Sequence, residues 1–115
     1  MAMLLCSTWK RRLSNFQNRL CLSGVLVEKD ARRSSPAGVA FCNAQLKVEG
    51  EVEENNVLRR VAFEMPIVAA GEMAYRLESL PLNTNALFGG FLATKSQRHK
   101  ALVFHIQSIE LLKGI

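Results

Sequence analysis

Cysteine is scarce in this 115-residue chain: Cys6, Cys21 and Cys42 are odd in number and show no Cys-x-x-Cys spacing. Neither a disulfide framework nor a zinc site is indicated, and reduced thiols in a cytoplasm fit best. Cys21 and Cys42 fall in apolar, strand-like runs and read as small buried hydrophobes. Long apolar runs are missing as well, since no stretch approaches the ~18 residues that a membrane span needs. The short apolar start precedes its charges at Lys10, Arg11 and Arg12, the reverse of the order in a signal peptide. A soluble, unexported, cytoplasmic protein with no membrane partner is expected.

Catalytic signatures are absent. There is no His-Glu-x-x-His, no Gly-x-Ser-x-Gly and no Walker loop, and Gly89-Gly90 lies inside an apolar strand instead of opening a helix. His99 and His105 lack Cys, His or carboxylate neighbours at metal-ligand spacing. Glu28 and Asp30 form an acidic pair that a charged loop explains without catalysis. These absences point away from an enzyme and from any metal or cofactor. Acidic residues are outnumbered 10 to 15 by Lys and Arg, giving a net charge of +5 and a pI near 9.5. That balance favours polyanionic partners, either nucleic acid or an anionic membrane surface.

What is present is a series of short strands. Arg19 to Val27 is apolar and β-branched, with Gly24 where a bulge or sharp bend would sit. A charged connection from Lys29 ends in Ser34-Ser35-Pro36-Ala37-Gly38, a hairpin signal. From Val39 to Val48 the alternation puts Ala40, Cys42, Ala44 and Leu46 on one face and Phe41, Asn43, Gln45 and Lys47 on the other. Glu49 to Asn56, with four glutamates, reads as an acidic loop tip. Val61, Phe63, Met65 and Ile67 mark a third strand, with a change of partners expected at Pro66. Gly71 to Leu80 is spaced as a short helix that Pro81 ends. A fourth strand, Ala86 to Ala93, is expected to curve strongly at Gly89-Gly90. The fifth, Leu102 to Leu112, shifts its apolar phase and predicts a bulge near Gln107 and Ser108.

Five antiparallel strands with a short helical connection between strands three and four match an all-β OB-fold, a small Greek-key barrel that often binds oligonucleotides. An SH3-like or other small barrel is the alternative. Residues 16–115 form this domain, and residues 1–15, including Trp9, read as a flexible tail or a start placed too far upstream.

In such a barrel the loops after strands one and four flank the binding groove. They hold Lys29, Arg32 and Arg33 in one case and Lys95, Arg98 and Lys100 in the other. With aromatics at only 7%, base stacking is limited and phosphate contacts carry binding, with a steep salt dependence. Phe41 either stacks on a base or is buried between subunits; Phe63, Phe88, Phe91 and Phe104 read as core. The candidate DNA-binding residues are Arg32, Arg33, Phe41, Lys47, Arg60, Lys95, Arg98 and Lys100.

Asn18-Arg19-Leu20-Cys21-Leu22-Ser23-Gly24, Ser35-Pro36-Ala37-Gly38, Glu64-Met65-Pro66, Gly90-Phe91-Leu92-Ala93 and Ile109-Glu110-Leu111 occur in an order and spacing that resemble the primosomal replication protein N family. The resemblance runs from Asn18 to Leu112. It implies an OB-fold homodimer, similar to bacterial single-stranded DNA-binding protein, that serves replication restart in the cytoplasm. It further implies single-stranded DNA, the restart helicase and a helicase-loading partner of the primosome as the molecules it meets. The family's basic positions carry over to Arg33 and to the neighbourhood of Lys95, Arg98 and Lys100. Ala62 stands where a member can present an aromatic, and Glu49 where a member is basic. The competing functions are a general single-stranded DNA-binding protein and an OB module that contacts only proteins.

Overall fold

The computed structural model describes residues 16–112. The segment 1–15, including Cys6 and Trp9, lies outside the described residues, so its reading as a tail or misplaced start stays with the sequence. The elements run β1 (Leu20–Lys29), a two-residue β2 (Arg33–Ser34), β3 (Ala40–Glu54), β4 (Val57–Ala70), α1 (Glu72–Ser79), β5 (Asn85–Thr94) and β6 (Leu102–Leu111). The five long strands close into a barrel in the order β1-β5-β6-β4-β3, with β1 also paired to β3 and β2 appended to the start of β3.

The expectation of antiparallel pairing throughout is corrected at one seam. A ring of five strands cannot alternate direction all the way round, so one neighbouring pair must be parallel. That pair is β4 with β6, from Ile67 opposite Phe104 to Ala69 opposite Ile106. Pro66, which has no N–H to give, sits opposite Gln45 of β3 immediately before β4 acquires this second neighbour. β4 thus keeps one partner and gains another at the proline.

Closure also needs close backbone approach. β1 pairs with β5 from Leu20 to Val25 and with β3 from Val25 onward, so the strand passes from one neighbour to the other at Gly24. A β-carbon at Gly24 would lie 2.3 Å from the Lys47 carbonyl oxygen, and one at Gly90 would lie 1.8 Å from that of His105. Next to Gly90 the ladder slips: Gly89 faces Ser108 while Gly90 faces Ile106, leaving Gln107 as the bulged residue. The bulge anticipated near Gln107 is therefore present, and a second one interrupts β1 between Leu26 and Glu28.

Inside the ring, Leu26, Cys42, Leu46, Ile67, Phe88 and Phe104 are fully buried, and α1 adds Ala74 and Leu77. The helix ends at Ser79, as the following Pro81 requires. Cys42 is a free thiol whose pKa burial pushes up, consistent with a small hydrophobe. Cys21 is half-buried on β1, opposite Gly89 of β5. No helix among the described residues is long and apolar enough to cross a membrane.

The largest correction concerns Glu49 to Asn56. This stretch is not a loop: β3 runs on to Glu54, and β4 begins at Val57, so the two strands form a ribbon reaching beyond the barrel. Its tip is Asn55-Asn56, both with left-handed backbone at φ 53 and 63, the geometry of a two-residue hairpin turn. Facing side chains supply the pairing that polarity alone disguised. Glu51 lies opposite Arg60, and Glu54 and Arg59 form an ion pair at 2.9 Å. One ribbon face carries Val52 and Phe63, 52% and 41% exposed.

The contrast between two glycines tests this account. Gly90→Ala should destabilise the fold by at least about 2 kcal/mol in denaturant titration, because the new methyl meets backbone and not a flexible side chain. Gly50→Ala, whose β-carbon would meet nothing within 4 Å, should leave the midpoint nearly unchanged.

Candidate nucleic-acid interface

The outward side chains of the barrel strands follow from the inward ones. With Cys42, Ala44 and Leu46 inside, Asn43, Gln45 and Lys47 face out. With Ile67 and Ala69 inside, Pro66 and Val68 face out. With Phe104 and Ile106 inside, His105 faces out. These outward residues form the floor of a groove of about 500 Å³, made by Asn43, Gln45, Pro66, Val68, Val103 and His105. Arg33 of β2 and Lys95 of the β5–β6 connection line its margins, with Glu28 and Asp30 from the end of β1.

The two loops that the sequence singled out do therefore flank one groove. The first is set by a tight turn. The Ser35 N–H donates to the Val39 carbonyl at 2.8 Å, the Gly38 N–H donates to Ser35 at 2.8 Å, and the Val39 N–H donates to the Ser35 hydroxyl at 3.1 Å. Gly38 has φ 88, which glycine adopts without strain. The second is closed where Lys95 N–H donates to Ala101 at 3.0 Å and Ser96 N–H to His99 at 3.3 Å.

Among the eight candidate residues the structure draws a sharp division. Arg32 is turned toward the helix, where it pairs with Glu78 and lies 4.4 Å over the Tyr75 ring. Lys47 and Arg60 both approach Glu49, at 3.8 and 3.2 Å. Phe41 is half-buried opposite Arg33 and Ala70 and does not line the groove. Outside the candidate set, Lys29 donates to the carbonyls of Glu78 and Leu80 at 2.6 and 2.7 Å, tying β1 to the helix end. Arg33, Lys95, Arg98 and Lys100 make none of the side-chain hydrogen bonds or ion pairs found among the described residues. These four exposed cations are available to an incoming anion. On the ribbon, Glu49 is countered by Lys47 and Arg60, and Glu54 by Arg59.

Sequence reasoning missed two features. Phe91 reads as core by residue type, yet Phe88 and Phe91 are three apart on one strand and cannot share a face. Phe91 is half-buried on the outside and stacks on His105, with ring centroids 4.8 Å apart and planes inclined by 5°. Phe63, which also reads as core, is exposed on the ribbon. Strand parity is the signal that finds Phe91, whereas Phe63 shares the inward parity of Ile67 and is exposed because the ribbon carries it beyond the barrel. Burial also holds the His105 imidazole below its ordinary pKa.

Comparison with known proteins agrees with the geometry. A family model described as another single-strand binding protein family matches residues 18–108. The replication restart protein PriB of Photorhabdus laumondii is 31% identical over 98 residues, 83% of this chain and 93% of that protein. The solved structure of the protein PriB from Ralstonia solanacearum superposes with a TM-score of 0.76 at 38% identity, covering 84% of this chain and 100% of the other. The chain belongs to the PriB family of replication restart proteins. Its PriB-family fold extends to more distant barrels: a small single-stranded DNA-binding protein from Streptomyces coelicolor shares the architecture, with a TM-score of 0.66 at 15% identity over 85% of this chain and 95% of the other. The OB-fold anticipated from strand order is thus the fold of this PriB-family chain.

Structural and available cations should separate in melting experiments. Lys29→Ala, which removes two charge-assisted hydrogen bonds, should cost about 1–3 kcal/mol, whereas Lys95→Ala should stay within about 0.5 kcal/mol. His105 adds a pH dependence. Because the fold favours its neutral form, the unfolded chain binds more protons as pH falls below about 6.5. Its stabilising contribution is complete above that pH and is lost as pH drops toward the lowered folded-state value; His105→Gln should flatten this part of the stability profile.

Proposed function

We propose that this chain is a single-stranded DNA-binding accessory of replication restart. The observation that carries the reading is the set of four unpaired cations, Arg33, Lys95, Arg98 and Lys100, in the two loops that flank one outer groove. Phosphates passing between these loops exchange their counterions for fixed charges, and that exchange drives binding with little dependence on sequence. Arg32, Lys47 and Arg60 contribute from the periphery, since their side chains pair with glutamates, and Phe41 does so from outside the groove lining. Membership of the PriB family supports the restart role. In this reading the protein catalyses nothing and works in the cytoplasm as a homodimer. It holds exposed DNA for the restart helicase and the helicase-loading partner of the primosome. Residues 16–115 are the functional domain.

A protein-contact role beside DNA binding is favoured by one observation: the apolar ribbon face bearing Val52 and Phe63, which stands clear of the basic groove. A general single-stranded DNA-binding protein would meet the same groove chemistry without a restart helicase.

Labelled oligo-dT should bind more tightly at ~50 mM than at ~200 mM salt. Reversing Lys95, Arg98 and Lys100 to glutamate should abolish binding while leaving the melting temperature nearly unchanged. Affinity indifferent to salt would exclude a phosphate-driven site, and solution mass measured in the same samples reads the dimer.

A further inference from the structure

The outer face holds one feature that loop charge does not use. Phe91 and His105 face each other across β5 and β6, and their rings lie parallel and in contact. His105 is also the neighbour of Val68 in β4, and Val68 in turn faces Asn43 in β3. A single row therefore crosses the groove floor from an amide through an aliphatic side chain to two stacked rings. The imidazole is the part of that ring pair that lines the groove.

We propose that His105, braced by Phe91, is the base-stacking platform of this groove, so that unpaired bases lie on the outer sheet while phosphates follow Lys95 and Arg33. The proposal rests on the single-stranded DNA reading above and adds to it where bases are held. Three properties support it. The ring is rigid, because its cross-strand partner and the strand backbone hold it in one plane. It is desolvated on the protein side and kept neutral there, so it offers a π-face and ring-nitrogen hydrogen bonding without competing for the role of the cations. It stands in the same groove as Lys95 and Arg33, close to where a phosphate backbone must run. Stacking of this kind tolerates any base, since every base has a π-face.

The geometry also explains how such a ring pair arises in a chain poor in aromatics. Opposition of Phe91 and His105 depends on the register that follows the Gln107 bulge and on the close approach at Gly90. The platform is a product of barrel closure, not of a local aromatic motif.

The test uses the full chain and fluorescently labelled oligo-dT, together with an oligomer of equal length carrying abasic sites. His105→Ala should weaken oligo-dT binding by about 5- to 150-fold, the range of one lost stacking contact, with the salt dependence unchanged. His105→Phe should retain most of the affinity. His105→Leu keeps apolar bulk on the strand without a ring, and should lose affinity like alanine while melting like the wild type. On the abasic oligomer all four proteins should bind equally. Wild-type affinity in both His105→Ala and His105→Leu would overturn the proposal, as would an equal loss by these variants on the abasic oligomer. Failure of the wild type to bind oligo-dT at low salt would instead sink the underlying DNA reading, and the platform with it.

Discussion

Two carbonyl oxygens, those of Lys47 and His105, occupy space that a β-carbon would otherwise fill, opposite Gly24 and Gly90. The rest of the barrel hangs on these approaches. At Gly24 a single strand leaves one neighbour for another, and at Gly90 the last strand is drawn in and slips by one residue at Gln107. Without the first approach β1 could not join β3 to β5; without the second, β6 could not meet β4 in the parallel seam. Burial of Phe88 and Phe104 then follows, because closure brings the inward faces of all five strands around one core.

Closure also determines what the surface can do. A closed barrel of alternating side chains has an outside as regular as its inside, so the polar phase of each strand becomes a continuous floor. The connecting segments are left to supply charge at its margins. Here they divide the labour. Lys29 and Arg32 hold the helix against β1, and the Lys47–Glu49–Arg60 cluster stiffens the base of the ribbon. Among the described residues, Arg33, Lys95, Arg98 and Lys100 have no such duties and stand in the loops beside the groove. Their exposure costs the fold little and leaves their charge for a ligand, whereas exposed ion pairs elsewhere contribute small increments to stability.

How much of this was legible in the sequence depended on whether the signal was local. The Ser35–Gly38 turn, the end of the helix before Pro81 and the phase shift at Gln107 are written within a few residues, and each appears where its residues indicate. The fold class followed from the order of such elements. The ribbon is not legible because polarity alone marks a loop, whereas Glu49 to Glu54 pair with Val57 to Ala62 in a ribbon that buries neither face. For Phe91, residue type points inward while strand parity points outward, and parity decides. The sorting of cations was not legible at all, since Arg32 meets Glu78 from 46 positions away and Lys29 meets Leu80 from 51.

The ribbon of β3 and β4 has a further consequence. Past the barrel these strands have only each other, so each presents an outer edge of unpaired backbone donors and acceptors that any extended chain could extend. Val52, Val57, Val61 and Phe63 make the same arm apolar on one side, a combination that invites copies to zip together. Glutamates at positions 49, 51, 53 and 54 and arginines at 59 and 60 interrupt every such register with charge. An edge carrying charge at so many positions is a poor template for pairing with a second copy.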